Sequence, residues 1–145
     1  MNPTLHLSAV WLLRLSLAAG FISASVDRLG GWGAPGSPGV VWGAWAPFVA
    51  YTAQVLSFLP SSWAGSLGLL ATVSEVGLGL WLGAGFRVQL AALASAGLLL
   101  AFALAMTVSF GIKSPLDYSV FTAAAAALAL ASLTGQTGSR AGMRA

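Results

Sequence analysis

The sequence predicts an all-α integral membrane protein, a four-transmembrane-helix bundle with an interfacial or re-entrant helix between spans one and two. Three observations predict it. Of the 145 residues, 58% are hydrophobic and 6% charged, whereas soluble domains carry about 25% charge. The mean hydropathy is +0.89. Apolar runs of the length that crosses a hydrocarbon core of roughly 30 Å recur four times between short polar breaks. These runs and their connections occupy residues 1–145, so one transmembrane helical domain is expected, without an appended soluble domain.

The first span covers about residues 5–26. It resembles a secretory signal in its small residues after an apolar run, but Met1 to His6 contains no Lys or Arg and Arg14 interrupts the apolar stretch. It is therefore expected to be retained. Asp27, Arg28, Gly30 and Gly31 form a charged, glycine-rich exit, and Pro35 and Pro38 keep the following segment from being helical. Residues 40–59 are apolar, yet Pro47 splits them and Tyr51, Thr52, Gln54 and Ser57 dilute them. A helix over about 47–59 lying in the interface fits better than a fifth span: Pro47 suits a first turn, Pro60 closes it, and Trp42, Trp45 and Trp63 are interfacial aromatics.

Span two, about 64–85, contains Gly79 and Gly83, a GxxxG step where another helix can approach closely. A very short turn at Phe86 and Arg87 makes spans two and three (about 90–110) an antiparallel hairpin. A polar break at 111–119 holds Pro115, which stops helix three, and Asp117, a candidate N-cap for span four (about 118–133). The polar tail 134–145 is expected to fray. Four spans put both termini on one side with Arg87. The positive-inside rule then sets Arg87, Arg140 and Arg144 against Arg28 and Lys113, and places the termini in the cytoplasm by one charge.

The six basic residues are scattered, which argues against nucleic-acid binding. With no cysteine, the chain has no disulfide framework, no redox dithiol and no thiolate metal site. One histidine excludes a bis-His haem within one chain, and His6 reads as an interfacial residue. Met106 and Met143 carry no metal signal. No catalytic motif is present, so catalysis by this chain alone is not expected.

The informative residues are two opposite charges inside apolar runs, Arg14 in span one and Glu75 in span two. If the spans run antiparallel with flush ends, the two lie at matching depths, roughly 14 and 15 Å from one face. An unpaired charge at the bilayer centre costs at least about 2.5–3.5 kcal/mol. The pair either fixes helix register only, or also lines a pocket that binds a headgroup or carbonyl or passes a proton. At the outer ends, Asp27, Arg28, Lys113, Asp117 and Tyr118 form either hydrated helix termini or the polar mouth of that pocket, roofed by Trp32, Trp42, Trp45 and Tyr51.

Together these residues resemble the DoxX family of small bacterial membrane proteins. The resemblance spans about 13–130 and rests on Arg14-Leu-Ser-Leu-Ala-Ala-Gly-Phe21, Ala24-Ser-Val-Asp-Arg-Leu-Gly30, Trp42-Gly-Ala-Trp45, Tyr51-Thr52, Glu75-Val-Gly-Leu-Gly-Leu80, Gly83-Ala-Gly-Phe-Arg87 and Gly111-Ile-Lys-Ser-Pro-Leu-Asp-Tyr-Ser119. It implies a four-span bundle in a bacterial inner membrane, with Arg14 and Glu75 matching the family's first-span arginine and second-span glutamate. Relatives include the hydrophobic subunit of thiosulfate:quinone oxidoreductase, so the implied ligand is a quinone or similar lipid-like molecule and the implied partner a redox enzyme. Without cysteine, the sulfur chemistry does not carry over. The competing expectations are a small-solute transporter, which with four spans would need a homo-oligomer, an assembly factor that takes a client helix along Gly79 and Gly83, and a purely structural subunit of a larger complex.

Overall fold

The computed structural model describes the backbone of residues 2–142 and the side chains of residues 2–135. Within them every regular element is helical: α1 (Pro3–Arg28), α2 (Trp45–Val55), a 3-10 turn (Ser61–Trp63), α3 (Ala64–Ala84), α4 (Val88–Phe110), the short α5 (Lys113–Asp117) and α6 (Val120–Gly142). Three stretches, Pro3–Arg28, Ser61–Ala84 and Val88–Phe110, are long and apolar enough to cross a membrane; the apolar part of α6, Val120–Gly135, is shorter.

Each long helix buries one stripe. On α1 this is Leu17, Ala18, Phe21, Ser25 and Arg28, and on α3 Gly68, Thr72, Glu75, Gly79 and Leu82. Apart from the adjacent Leu17 and Ala18, steps of three and four keep these residues on one face of a 3.6-residue helix. α1 packs chiefly on α3 and α4 on α6, whereas α3 and α4 touch sparsely. Small residues, Ala91, Ala92, Ala96, Ala127 and Ala131, surround the fully buried Leu130 and let the α4 and α6 backbones come close, as membrane bundles do. The opposite faces expose Leu69, Leu70, Val73 and Leu80 on α3 and Leu104 and Val108 on α4. Acyl chains are as apolar as these side chains and would cover them without penalty.

The close approach at Gly79 sets the register of α1 against α3. A Cβ there would lie 3.0 Å from the Ile22 side chain and 3.2 Å from the Ala18 carbonyl oxygen. Toward one end of the pair Arg28 reaches Thr72 and Glu75. Toward the other, Arg14 lies against Gly85, where a Cβ would sit 2.8 Å from its Nη1. This antiparallel register overturns the expected meeting of Arg14 with Glu75. The expectation set the span ends flush, with residue 5 level with Gly85; instead Arg14 lies there, a slide of nine residues or about 14 Å. Gly79 is likewise taken up by the chain's own α1 rather than left open for a client helix, while Gly83 has nothing within 4 Å of a built Cβ.

Element ends follow local chemistry. Pro47 falls in the first turn of α2, where its missing N–H is an orphan in any case. Gly43 (φ +64°) brings the loop before α2 against its own start; a Cβ there would lie 2.6 Å from the Ala34 carbonyl carbon. Gly85 (φ +75°) caps α3 in the left-handed region and Arg87 (φ +45°) opens α4, giving the expected tight hairpin. Asp117 does not cap α6: it ends α5, and Ser119 (φ +56°) makes the turn between, its carbonyl accepting from the Ala123 amide. The tail expected to fray is helical to Gly142; Met143 and Arg144 lie outside the described residues.

Candidate functional site

The last turn of α1 carries the polar centre of the molecule. Burial here is nearly complete, with 5% of Asp27, 4% of Arg28, 4% of Glu75 and 3% of Ser25 exposed. Arg28 Nη1 donates to Thr72 Oγ1 at 2.8 Å and to the Glu75 carboxylate, with which it forms an ion pair. Thr72 and Glu75 are three residues apart and share a helix face, so one guanidinium nitrogen meets both. The Thr72 hydroxyl donates its own hydrogen bond to the Gly68 carbonyl at 2.9 Å, leaving its lone pairs for Arg28.

α2 closes this centre from above. Phe48 lies with its ring 4.1 Å from Arg28 Cζ, and the Trp42 ring is 5.3 Å away, both within cation–π range. Gly68 makes room for the lid: a Cβ there would sit 3.0 Å from Phe48 Cε1. Trp42 and Trp45 both contact Phe48 with ring centroids 5.3 Å apart, Trp42 contacts Tyr51 at 6.0 Å, and Tyr51 contacts Phe110 at 6.0 Å. Burial, then the nearby Tyr118, push the Tyr51 phenol above its usual range.

Asp27 holds the roof in place. Its Oδ2 accepts from the Val41 amide at 3.2 Å and the Trp42 amide at 2.9 Å, hooking the loop of residues 29–44 over the end of α1. Its Oδ1 is buried with no partner, and so is Nε of Arg28. A carboxylate acceptor and a guanidinium donor on consecutive residues are thus both unsatisfied. Buried polar groups are rarely left so, and each such group asks for a bound molecule or water.

The centre therefore uses Asp27, Arg28, Glu75, Trp42, Trp45 and Tyr51 of the expected residues. Asp27 and Arg28 are not a hydrated rim but its interior. Trp32 is no part of the roof: it is 61% exposed and its Nε1 donates back to the Ser23 carbonyl at 3.1 Å. Lys113 and Asp117 form an exposed i, i+4 pair on α5, apart from the buried centre, and Tyr118 is exposed beyond them, within electrostatic reach of Tyr51. Arg14 has no hydrogen bond or ion pair among the described residues; its guanidinium lies over the Trp11 ring at 3.9 Å. Phe48 and Thr72 were missed by the sequence reading, although Phe48, Tyr51 and Thr52 follow helical spacing, as do Gly68, Thr72 and Glu75. Among the described residues no group of three His, Asp or Glu side chains is placed to hold a metal.

A separate groove of about 560 Å³ opens between α3 and α4, lined by Ser74, Gly77, Leu78, Trp81, Ala94, Gly97 and Leu98. It follows from the sparse α3–α4 contact and from Gly77 and Gly97, which have nothing beside them. Comparison with protein-family models, with curated proteins and with solved structures finds no match to this chain.

Proposed function

We propose that this chain is a membrane subunit of the DoxX type that holds the polar head of a quinone, or of a similar lipid-like molecule, at the Asp27–Arg28–Glu75 centre and presents it to a partner oxidoreductase. One observation carries the reading: the unpartnered Arg28 Nε and Asp27 Oδ1. A quinone carbonyl accepts from the first, and the hydroxyl of the reduced form donates to the second. Glu75 and Thr72 hold the guanidinium so that its position does not depend on the ligand, and Phe48 and Trp42 give a planar ring an apolar, aromatic surrounding. In the same reading α6 is the fourth span, α2 lies in the interface, both termini are cytoplasmic and the membrane is a bacterial inner membrane.

The test is to purify the full chain from its membranes in mild detergent, extract small molecules and quantify quinones. The wild type is expected to carry quinone, and Asp27→Asn and Arg28→Lys to lower the content by roughly tenfold each, the worth of one charge-assisted hydrogen bond. A wild-type protein without quinone, or variants that retain it fully, defeats the proposal. The α3–α4 groove favours a second role as a structural subunit, with a partner helix against Gly77 and Gly97. Subunits that co-purify with the wild type but are lost from Gly77→Leu would support it.

A further inference from the structure

Among the described residues, Arg14 is the one cation inside the long apolar helices without a counter-charge. The chain has three acidic side chains in all. Glu75 pairs with Arg28 and Asp117 with Lys113, and Asp27 is engaged by the amides of Val41 and Trp42 beside Arg28. None faces Arg14, and its Nε is buried without an acceptor. The position is nonetheless built. The guanidinium stacks on Trp11 at 3.9 Å from the ring centre, and the missing side chain of Gly85 makes its seat, since a Cβ there would lie 2.8 Å from Nη1 and 3.2 Å from Cζ.

Depth identifies the anion. Through the slide of α1, Arg14 lies beside Gly85, which ends α3 and begins the turn to α4, the level at which that hairpin leaves the hydrocarbon. Phosphate groups of a bilayer lie at such a level. Exposed apolar side chains flank the site, with Leu15 50% exposed on its hydrocarbon side and Phe86 65% exposed in the turn. A soluble anion would meet this greasy rim, whereas a phospholipid satisfies both parts, its phosphate on the guanidinium edge and its chains on Leu15 and the apolar helix faces below it. We infer that Arg14, stacked on Trp11 and seated against Gly85, anchors a phosphate site for the headgroup of an anionic phospholipid. The inference rests on the helices crossing a bilayer and not on the quinone reading, whose residues lie toward the other end of α1.

Native mass spectrometry of the full chain in detergent tests it, with phosphatidylglycerol, phosphatidylcholine or inorganic phosphate added at equal concentration. The wild type is expected to prefer phosphatidylglycerol over phosphatidylcholine roughly tenfold, as expected for a planar two-donor contact with net charge behind it. Arg14→Gln should bring the two lipids within about twofold, while Lys113→Gln, which removes an exposed cation on α5, should leave the preference intact. Equal binding of both lipids by the wild type, or an unchanged preference in Arg14→Gln, overturns the inference. Displacement of the lipid by inorganic phosphate overturns the lipid as the source of the anion. If Arg14→Gln does not fold, Arg14→Lys serves instead: a lone ammonium lacks the planar edge, the preference should fall several-fold, and no fall overturns the inference.

Discussion

Arg28 is held on three sides, by the Glu75 carboxylate, the Thr72 hydroxyl and the faces of Phe48 and Trp42. Two charges so far from water gain little net stability from each other, because desolvation offsets most of the attraction, but either one left alone is strongly unfavourable. Glu75→Ala should therefore destabilise the fold by roughly 3–5 kcal/mol, read from unfolding by sodium dodecyl sulfate in mixed micelles. The double variant Arg28→Met/Glu75→Leu should recover most of that loss, since similar volumes of apolar atoms fill the space. Recovered stability together with absent quinone would separate the two roles of the pair: the fold can do without it, and the ligand cannot. A double variant as unstable as Glu75→Ala alone would mean that the pair is needed to hold α1 on α3.

Helix α3 shows which parts of this arrangement are legible in a sequence. Its buried stripe from Gly68 through Thr72, Glu75 and Gly79 to Leu82 is periodic, so the presence of the helix and the value of Glu75 could be read directly. The partner of Glu75 could not. Asp27 and Arg28 followed by two glycines have the local composition of a helix leaving lipid, and what buries them is a loop and helix up to 21 residues further on, Trp42 and Phe48 among them. The register depends on one glycine accepting Ile22 and on the reach of an arginine side chain, neither of which leaves a periodic trace. The same contact gives a prediction about α3. Gly79→Leu should force α1 and α3 apart, because even a Cβ would be 3.0 Å from Ile22 and 3.2 Å from backbone, and should lower stability by roughly 1–3 kcal/mol or more through overpacking. Gly77→Leu faces open space and should leave the monomer's stability in detergent nearly unchanged or slightly improved. Equal losses in the two variants would contradict the register.

At the scale of the whole molecule, the slide of α1 changes the electrostatic balance between the two ends of the bundle. Counted from the sequence, the margin in favour of cytoplasmic termini was a single charge. In the structure Arg28 is neutralised by Glu75, and Lys113 by Asp117, whereas Arg14 lies level with the α3–α4 turn and has no carboxylate partner among the described residues. The end that holds the start of α1 and the late part of α6 thus gains a cation, and the other end has its two cations paired. His6 Nε2 lies 3.3 Å from the Leu133 carbonyl, which brings the start of α1 to the late part of α6 and makes that end common to both. Under the proposed orientation the positive-inside count becomes Arg14, Arg87, Arg140 and Arg144 inside against Arg28 and Lys113 outside, a margin of two. Because the chain lacks cysteine, single introduced thiols report without background. Pro38→Cys and Ile112→Cys should react with a membrane-impermeant maleimide on intact cells. Phe86→Cys, and a cysteine added after Ala145, should react only after lysis. Labelling of Phe86→Cys from outside would invert the bundle. Labelling of the added terminal cysteine from outside, with Phe86→Cys protected, would leave three spans and remove α6 from the membrane, and with it the close alanine packing of α4 on α6 as a contact made in lipid.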